Sequence, residues 1–364
     1  MYLSTLRIEN FKNIAHSVFN LNPYVNCFVG ENGSGKTNLL DAIHVLCLTK
    51  SALGSTDLQC INYNSNYYRL EGAFNAHGST KGIMVSCVYS NETKKNLKWD
   101  GLEYDKMSDH IGKLPIVMIA PDDTDLIREG SEIRRKFFDG LISQMDSEYL
   151  KSLLLYNHLL KQRNAVLKQD FPRNDLLELY SNKLIPLNII IAEKRQKFIA
   201  DYIDIFQHRY KYLSGEKEMA SLVYETDINE HFSHTFSQNI EKDKHFQRTT
   251  LGIHTEDFDF TIDGQSVKKF ASQGQKKSFV IALKLAQFDI LKDATVNTPI
   301  LLLDDIFDKL DDVRIKKLID LVTGNHFGQL FVTDARPERS RALFVDMGDR
   351  IKFFSFERIS QKNN

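Results

Sequence analysis

The spacing of apolar residues alternates along the chain between the period of strands and the period of helices. Leu6 and Ile8 lie at alternate positions near the N-terminus, and Val25–Val29 is an apolar run followed by a glycine. Both segments predict strands. Behind Thr37, apolar residues recur at i, i+3, i+4 and i+7, which predicts a helix. Residues 67–105 then return to strand patterns.

A change of pattern near residue 121 predicts a helical block that continues to about residue 215. Apolar stripes with helical spacing run through it. Pro186 is expected to bend its longest helix, because the proline ring clashes inside a straight helix. The elements predicted after this block are strands at 222–224, 258–262, 300–303, 329–333 and 350–354, with a helix at about 275–291.

This order of elements predicts an α/β fold with a helical insertion. We expect residues 1–120 and 216–364 to build the α/β core, and residues 121–215 to form the insertion. The continuous apolar run Ile300–Leu303 is typical of a central parallel strand that is covered on both faces.

Composition narrows the class of protein. Hydrophobic residues make up 42% and charged residues 26% of the chain, which is typical of a globular protein with a sizeable core. The formal net charge of −1 gives no global attraction to nucleic acid, so DNA binding would need a local basic face. The four scattered cysteines exclude a zinc ribbon and predict reduced, buried thiols. Neither a signal peptide nor a membrane-spanning run is recognisable, so we expect a cytoplasmic protein.

The segment between the first apolar strand and the first helix, Gly30-Glu31-Asn32-Gly33-Ser34-Gly35-Lys36-Thr37, matches a phosphate-binding loop. Glycines let the backbone point its N–H groups at phosphate oxygens, and the helix N-terminus adds positive potential. Lys36 is predicted to contact the β- and γ-phosphates, and the Thr37 hydroxyl to ligate Mg²⁺. We therefore expect ATP and Mg²⁺ as ligands. The structural alternative is a glycine-rich turn that merely precedes a helix.

Two adjacent acids, Asp304 and Asp305, follow the apolar run at 300–303. A strand of this kind delivers a carboxylate beside the phosphate loop, so Asp304 is predicted to hold Mg²⁺. Asp305 is predicted to orient or deprotonate the attacking water, which makes it a catalytic residue together with Lys36. Adjacent acids also occur in solvated turns and helix caps. The combination with the phosphate loop favours the catalytic interpretation.

A third segment, Ala271-Ser272-Gln273-Gly274-Gln275, precedes the helix predicted at 275–291 and resembles the ABC signature. In ABC ATPases this segment contacts the γ-phosphate of a nucleotide bound to a second subunit. A serine hydroxyl and backbone N–H groups at a helix start can bind such an anion. The alternative is an ordinary capping box of Ser272 with Gln275, and the two uses are compatible. The similar letters at Leu213–Glu216 lack the strand context, and Gly215 there predicts a helix C-cap.

Several segments resemble the RecF family of bacterial recombination mediators, and the resemblance spans essentially the whole chain. They are Ile8–Asn13, Gly130–Asp139, Leu160–Lys168, Lys269–Gln275 with Leu283–Ala286 behind it, and the paired aspartates 304 and 305. The resemblance implies an ABC/SMC-like P-loop ATPase head, with the insertion as a helical lobe II. It also implies that Lys12, Asn13, Asn38 and Ser272–Gln275 bind nucleotide.

The same resemblance implies a function. RecF proteins form homodimers around two ATP molecules, hydrolyse them slowly in a DNA-dependent manner, and bind duplex DNA near single-strand gaps. They work with RecR and RecO to load the recombinase during replication, repair and the SOS response. Asp308–Asp311 resembles the D-loop of ABC ATPases, which crosses the dimer interface in that class.

Three segments depart from the ABC or family pattern. Residues 121–125 contain no Q-loop glutamine, so either Asp122 or Asp123 approaches the metal or this is a solvated turn. Thr333-Asp334 has no switch histidine, which leaves the γ-phosphate sensor open. Residues 252–257 lack the family's proline and arginine, so the role of that arginine is not transferred.

Two basic clusters are candidates for DNA contact. They are Lys94, Lys95 and Lys98 on the strand hairpin, and Arg134, Arg135 and Lys136 on a helix start. Each is also typical of a solvated face. Two alternative functions, a transporter-energising ATPase and a defence ATPase with a nuclease domain, fit less well. A transporter-energising ATPase would have a segment closer to the ABC signature and a Q-loop glutamine. A defence ATPase would need an additional nuclease domain, for which this chain has no room.

Overall fold

The computed structural model describes residues 1–76, 82–215, 218–309, 312–324 and 326–356. The strands are β1 (Tyr2–Phe11), β2 (Ile14–Asn20), β3 (Val25–Val29), β4 (Tyr67–Asn75), β5 (Ile83–Ser90), β6 (Asn96–Trp99), β7 (Leu102–Glu103), β8 (Ile116–Ile119), β9 (Ala220–Glu225), β10 (Asp257–Ile262), β11 (Gln265–Ser266), β12 (Ile300–Asp304), β13 (Leu330–Asp334) and β14 (Ile351–Ser355). The α-helices are α1 (Lys36–Leu48), α2 (Asp125–Arg128), α3 (Ser131–Met145), α4 (Ser147–Leu167), α5 (Asn174–Ser214), α6 (Phe232–Gln238), α7 (Ile240–Phe246), α8 (Val267–Phe270), α9 (Gln273–Ala294), α10 (Asp312–Thr323) and α11 (Pro337–Leu343). Short 3₁₀ helices cover Leu58–Cys60, Met107–His110, Pro121–Thr124, Ile306–Lys309 and Val345–Arg350.

The chain divides into two compact units. One consists of Met1–Asp123 and the chain from Gln287 onward, and the other is Thr124–Ala286. The helical block predicted for 121–215 lies almost wholly in the second unit, but this unit continues past residue 215. The reason is that β9 packs against α5, and β10 packs against α3, so the small sheet that follows the helices shares their core.

The first unit contains a five-stranded parallel sheet in the order β14-β3-β13-β12-β8. Every residue of β3, β8, β12 and β13 is buried, which explains their continuous apolar sequences. The prediction of a covered parallel strand at Ile300–Leu303 is confirmed. Because all strands are parallel, the carboxyl ends of β3, β13 and β12 meet at one edge of the sheet.

A second sheet of the first unit is antiparallel, in the order β2-β1-β4-β5-β6-β7. Asp100 and Gly101 join β6 to β7 with φ of 52° and 83°, the positive values that a type I′ hairpin turn requires. Helix α1 contacts strands of both sheets and is buried on almost every side. It is therefore a core helix, although its sequence spacing predicted an amphipathic one.

The second unit consists of α3, α4 and α5 with the sheet β11-β10-β9. Helix α5 is one continuous element with Pro186 inside it. Arg195 of α5 is buried and binds Asp139 at 2.9 Å and Glu256 at 3.2 Å. This ion network joins α3 and α5 to the segment before β10, because buried charges are stable only when they are paired.

All four cysteines, Cys27, Cys47, Cys60 and Cys87, are buried and form no disulfide, which confirms the prediction that they are buried. Burial raises the pKa of Cys27 to about 12 and that of Cys60 to about 11. Among the described residues, no helix is long and apolar enough to cross a membrane.

Candidate functional site

The two predicted halves of the nucleotide site meet at the carboxyl edge of the parallel sheet. Asp304, the last residue of β12, accepts a hydrogen bond from Thr37 Oγ1 at 3.0 Å through its Oδ1 atom. Thr333 of β13 donates to the same oxygen at 2.6 Å. The fold thus brings together a hydroxyl and a carboxylate that are 267 positions apart.

Lys36 lies at the start of α1 and is almost fully buried. Its Nζ donates to the carbonyl oxygens of Gly30 at 2.7 Å and Glu31 at 2.8 Å, so the phosphate loop curls around its own lysine. Burial lowers the pKa of Lys36, and the nearby carboxylates of Asp305 and Asp304 oppose that shift.

Burial has the opposite effect on the carboxylate of this site. The pKa of Asp304 is raised by burial, and the hydrogen bonds from Thr333 and Thr37 partly offset the shift. A buried carboxylate beside a hydroxyl is a set of hard oxygen donors, which suits Mg²⁺.

The backbone of the loop has the conformation that close approach of a phosphate requires. Gly33 and Gly35 have φ of +80° and +114°, where a side chain would be strained. A Cβ atom at Gly35 would also lie 2.7 Å from Asn13 Oδ1. The Ser34 hydroxyl is buried and has no hydrogen-bond partner among the described residues. It is therefore available to a phosphate oxygen, so the residues present fit the predicted ligand.

A cavity of about 240 Å³ opens between the loop and the ends of β12 and β13. It is lined by Asn13, Asn32, Gly33, Gly35, Lys36, Thr37, Asn38, Asp304, Asp305 and Thr333. Most of the residues predicted to bind nucleotide or metal in this half of the site are therefore together. Asn38 Nδ2 donates to Asn13 Oδ1 at 2.8 Å, which fixes one wall.

Asp305 has an unusual backbone. Its φ of 45° places it in the left-handed region, which aspartate tolerates better than most residues. Its N–H donates to Thr333 Oγ1 at 3.0 Å. Thr333 thus holds both aspartates, and sequence reasoning missed this role. The available signal was a hydroxyl residue at the end of the neighbouring apolar strand.

Lys12, predicted to bind nucleotide, and Asp122 and Asp123, considered as metal ligands, do not line the cavity. Lys12 forms an ion pair of 2.7 Å with the fully buried Asp41 and is not part of the cavity lining. Asp123 accepts a hydrogen bond from its own turn, from Ala120 N at 2.7 Å. Asp122 is exposed, and neither acid lines the cavity. This geometry favours the turn over a metal ligand at Asp122 and Asp123.

Asp334 is the last residue of β13, the strand end that has no switch histidine. Asp334 is buried, accepts hydrogen bonds from Arg339 and from Ser340 Oγ, and offers its carbonyl oxygen to Gly30 N at 3.3 Å. Burial alone would raise the pKa of Asp334, but the hydrogen bonds from Arg339 and Ser340 lower it. Asp334 therefore supports the base of the phosphate loop.

The signature-like segment lies on the second unit, where Ser272 immediately precedes α9. The Ser272 amide donates to Gln275 Oε1 at 2.7 Å, and the Gln275 amide donates to Ser272 Oγ at 3.2 Å. This reciprocal pair is a capping box. Ser272 and Gln273 are nevertheless exposed, so the cap leaves them accessible to a partner. The D-loop candidate Asp308–Asp311 falls in part outside the described residues, at 310 and 311, and the side chains of 308 and 309 are not described either.

Several members of the basic clusters have acidic partners. Lys95 is paired with Asp57, and Arg134 binds Asp257 through two hydrogen bonds of 2.8 and 2.7 Å. Lys136 remains on the surface in an ion pair with Glu132. Structural pairing thus accounts for Lys95 and Arg134, as the solvated or structural interpretation expects.

The fold and this site define a P-loop ATPase head of the ABC/SMC class. Residues 2–348 match the RecF/RecN/SMC N-terminal domain family. The chain is 44% identical to the DNA replication and repair protein RecF of Cytophaga hutchinsonii, over 98% of this chain and 96% of that one. Its identity to RecF of Flavobacterium johnsoniae is also 44%, over 98% and 100% of the two chains. The chain belongs to the RecF family of DNA replication and repair proteins.

Solved structures agree with this assignment. The structure of the recombination mediator protein RecF with ATP, in the RecFOR pathway, superposes with a TM-score of 0.84 at 28% identity and covers 92% of both chains. An Smc head bound to the C-terminal winged-helix domain of ScpA has a TM-score of 0.56 at 16% identity, which supports the fold alone. The predicted fold class and family are both confirmed.

Proposed function

We propose that this chain binds ATP with Mg²⁺, dimerises on it, and acts on DNA next to single-strand gaps in replication and recombinational repair. The observation that carries the proposal is the hydrogen bond from Thr37 to Asp304 beside the buried Lys36. Such an arrangement of hydroxyl, carboxylate and ammonium is the one that phosphoryl transfer uses. Membership of the RecF family supports the DNA-related part of the proposal.

The residues of this chain divide the chemistry among them. Lys36 exchanges its two carbonyl partners for β- and γ-phosphate oxygens, and Ser34 and the loop amides donate to the same phosphates. Thr37 and Asp304 would hold Mg²⁺, which neutralises the charge that develops on the phosphates. Asp305 orients the attacking water and accepts its proton while the bond between the γ-phosphorus and the ADP oxygen breaks.

The exposed signature segment completes the site in a second copy of the chain. Ser272 and the start of α9 supply a hydroxyl and helix-end N–H groups for the γ-phosphate bound by the other copy. Hydrolysis then removes the phosphate that joins the two chains, so slow hydrolysis sets the lifetime of the dimer on DNA. RecR and RecO are the partners proposed for recombinase loading, with action in the cytoplasm at the nucleoid and in the SOS response.

An Asp305→Asn chain provides the test of the gated dimer. This variant keeps the shape of the side chain but cannot accept a proton, so ATP should bind and remain intact. Light scattering with ATP, Mg²⁺ and DNA should detect a stable dimer, whereas ADP should leave the chain monomeric. A monomer under all these conditions would remove the dimerisation mechanism. A Lys36→Ala chain is the matched control and should remain monomeric with ATP.

A further inference from the structure

The surface around the signature segment carries an arginine that no step above uses. Arg128 ends the short helix α2, and its Nη2 donates to Gln273 Oε1 at 3.3 Å. Both residues are exposed, and Gln273 directly follows Ser272. The guanidinium therefore lies on the same exposed surface as the signature serine.

Arg128 is not committed to a structural role. Among the described residues it forms no ion pair, unlike Arg134 and Arg195 of the same unit. One exposed hydrogen bond of 3.3 Å contributes little to stability. A guanidinium has several N–H donors in a planar fork, so most of them remain available to an incoming anion.

The neighbouring cations are held differently. Lys268 Nζ donates to the carbonyl oxygen of Glu129 at 3.3 Å, and Lys276 Nζ donates to that of Lys268 at 3.0 Å. These two contacts attach α8 and the start of α9 to the loop behind Arg128. Because neither contact involves the guanidinium of Arg128, the charge of this arginine is not used to hold the segment in place.

The opposing surface in the dimer would be the phosphate loop of the second copy, where γ-phosphate charge is only partly balanced. Ser272 and the helix start supply a hydroxyl and partial charges, but no full positive charge. We propose that Arg128 supplies this charge in trans: it contacts the γ-phosphate bound by the second copy, with Gln273 holding its guanidinium in place. This role rests on the proposed ATP-dependent dimer.

If Arg128 acts in trans, its removal should weaken dimerisation but leave nucleotide binding by the monomer unchanged. Removing a charged hydrogen bond to phosphate should weaken dimerisation about ten- to a hundred-fold. In an Asp305→Asn background, Arg128→Ala should raise the dimer dissociation constant with ATP by that factor. Binding of a fluorescent ATP analogue to the monomer should stay within about two-fold, and Arg128→Lys should recover part of the loss because it restores the charge without the planar fork.

Lys151→Ala is the matched control, because it removes an exposed charge of the same sign from the same unit. Its dimerisation should equal that of the parent chain. Unchanged dimerisation of Arg128→Ala would overturn the proposal. So would an equal loss of monomeric nucleotide binding, because the arginine would then be structural.

Mixing two variants that each lack a different half of the site separates action in trans from action within one chain. A Lys36→Ala chain supplies an intact Arg128, and an Arg128→Ala chain supplies an intact phosphate loop. Their mixture contains one complete site per mixed dimer and should hydrolyse ATP well above either variant alone. The pair Lys36→Ala with Ser272→Ala sets the rate expected for complementation.

The outcomes of the mixing experiment distinguish the role of Arg128 from the existence of a site shared by two chains. If the Ser272 pair complements and the Arg128 pair does not, Arg128 acts within its own chain or structurally, and the inference is wrong. If neither pair complements, the two-chain site itself is contradicted, and with it the proposed dimer. Complementation by both pairs supports the arginine in trans.

Discussion

At the scale of single residues, the site depends on groups whose burial is balanced by specific partners. Lys36 is held by two carbonyl oxygens and surrounded by carboxylates, and Asp304 is held by two hydroxyls. In the proposed complex, phosphate oxygens would replace the partners of Lys36 and Mg²⁺ would replace those of Asp304, so neither buried charge would be left unpaired.

Lys36→Ala should abolish ATP binding. The substitution removes the charge-assisted hydrogen bonds to the phosphates, each worth about 1.5–3 kcal/mol, so affinity should fall about a hundred-fold or more. Titration with a fluorescent ATP analogue measures this loss, and a thermal melt of the same sample shows whether the chain remains folded. Tight binding by a folded Lys36→Ala chain would contradict the assignment of the loop.

His110 gives a pH-dependent prediction on stability. This residue is fully buried, and its Nε2 donates to the carbonyl oxygen of Leu46 at 2.7 Å, while Tyr104 OH lies 3.2 Å from Nδ1. Burial lowers its pKa from 6.5 to about 4. Between these values the unfolded chain binds more protons than the folded chain, so stability falls as the pH decreases through this window.

The free energy of unfolding should therefore decrease by about 2 kcal/mol through His110 when the pH falls from about 7.5 to about 5. A His110→Gln chain, which keeps a donor for Leu46 without a titrating ring, should lack this component. Urea unfolding of both chains at the two pH values gives the comparison. Parallel pH profiles of the two chains would mean that His110 is not buried in its neutral form.

At the scale of elements, sequence periodicity predicted most strands and helices because they are buried on a consistent face. Val25–Val29 agrees with its predicted bounds residue for residue. Short elements were missed: α6 and α7 have only seven residues each, too few to establish a period. β8 was missed as well, since a four-residue apolar run has no period to read.

The nucleotide site shows the same limit. The phosphate loop and the aspartate pair were predictable because their residues are contiguous and chemically distinctive. Thr333 was not, because its role depends on β13 lying between β3 and β12, and strand order is a property of tertiary structure. The partner of Lys12 was missed for the same reason, since Asp41 reaches it only when α1 packs against β1.

A substitution at Ser272 can separate its role as the N-cap of α9 from its proposed role in the dimer interface. Ser272→Ala would remove both the cap and the exposed hydroxyl, whereas Ser272→Gly costs an N-cap only a few tenths of a kcal/mol. Ser272→Gly should therefore keep normal stability and monomeric ATP binding but lose ATP-dependent dimerisation. Light scattering with ATP, alongside nucleotide titration of the monomer, provides the two readouts. Full dimerisation of this variant would assign Ser272 to the cap alone.

At the scale of the whole molecule, the distribution of charge constrains the proposed binding to DNA. The formal net charge is −1, so long-range attraction to a polyanion is absent and binding must come from local contacts. Ion pairs already engage Lys95 and Arg134. A dimer would double whatever local basic surface one chain offers to DNA. The proposed ATP-dependent dimerisation would therefore make DNA affinity depend on ATP.

ATP-dependent binding to gapped and to fully duplex DNA, measured across salt concentrations, tests this argument. With ATP, the chain should bind gapped DNA more tightly than duplex. Affinity should fall about ten-fold or more between about 50 and 200 mM salt, because phosphate contacts release counterions. The Lys36→Ala chain should show weak, ATP-independent binding to both substrates. Equal affinities with and without ATP would separate DNA binding from the nucleotide site, and Lys36 would then control hydrolysis only.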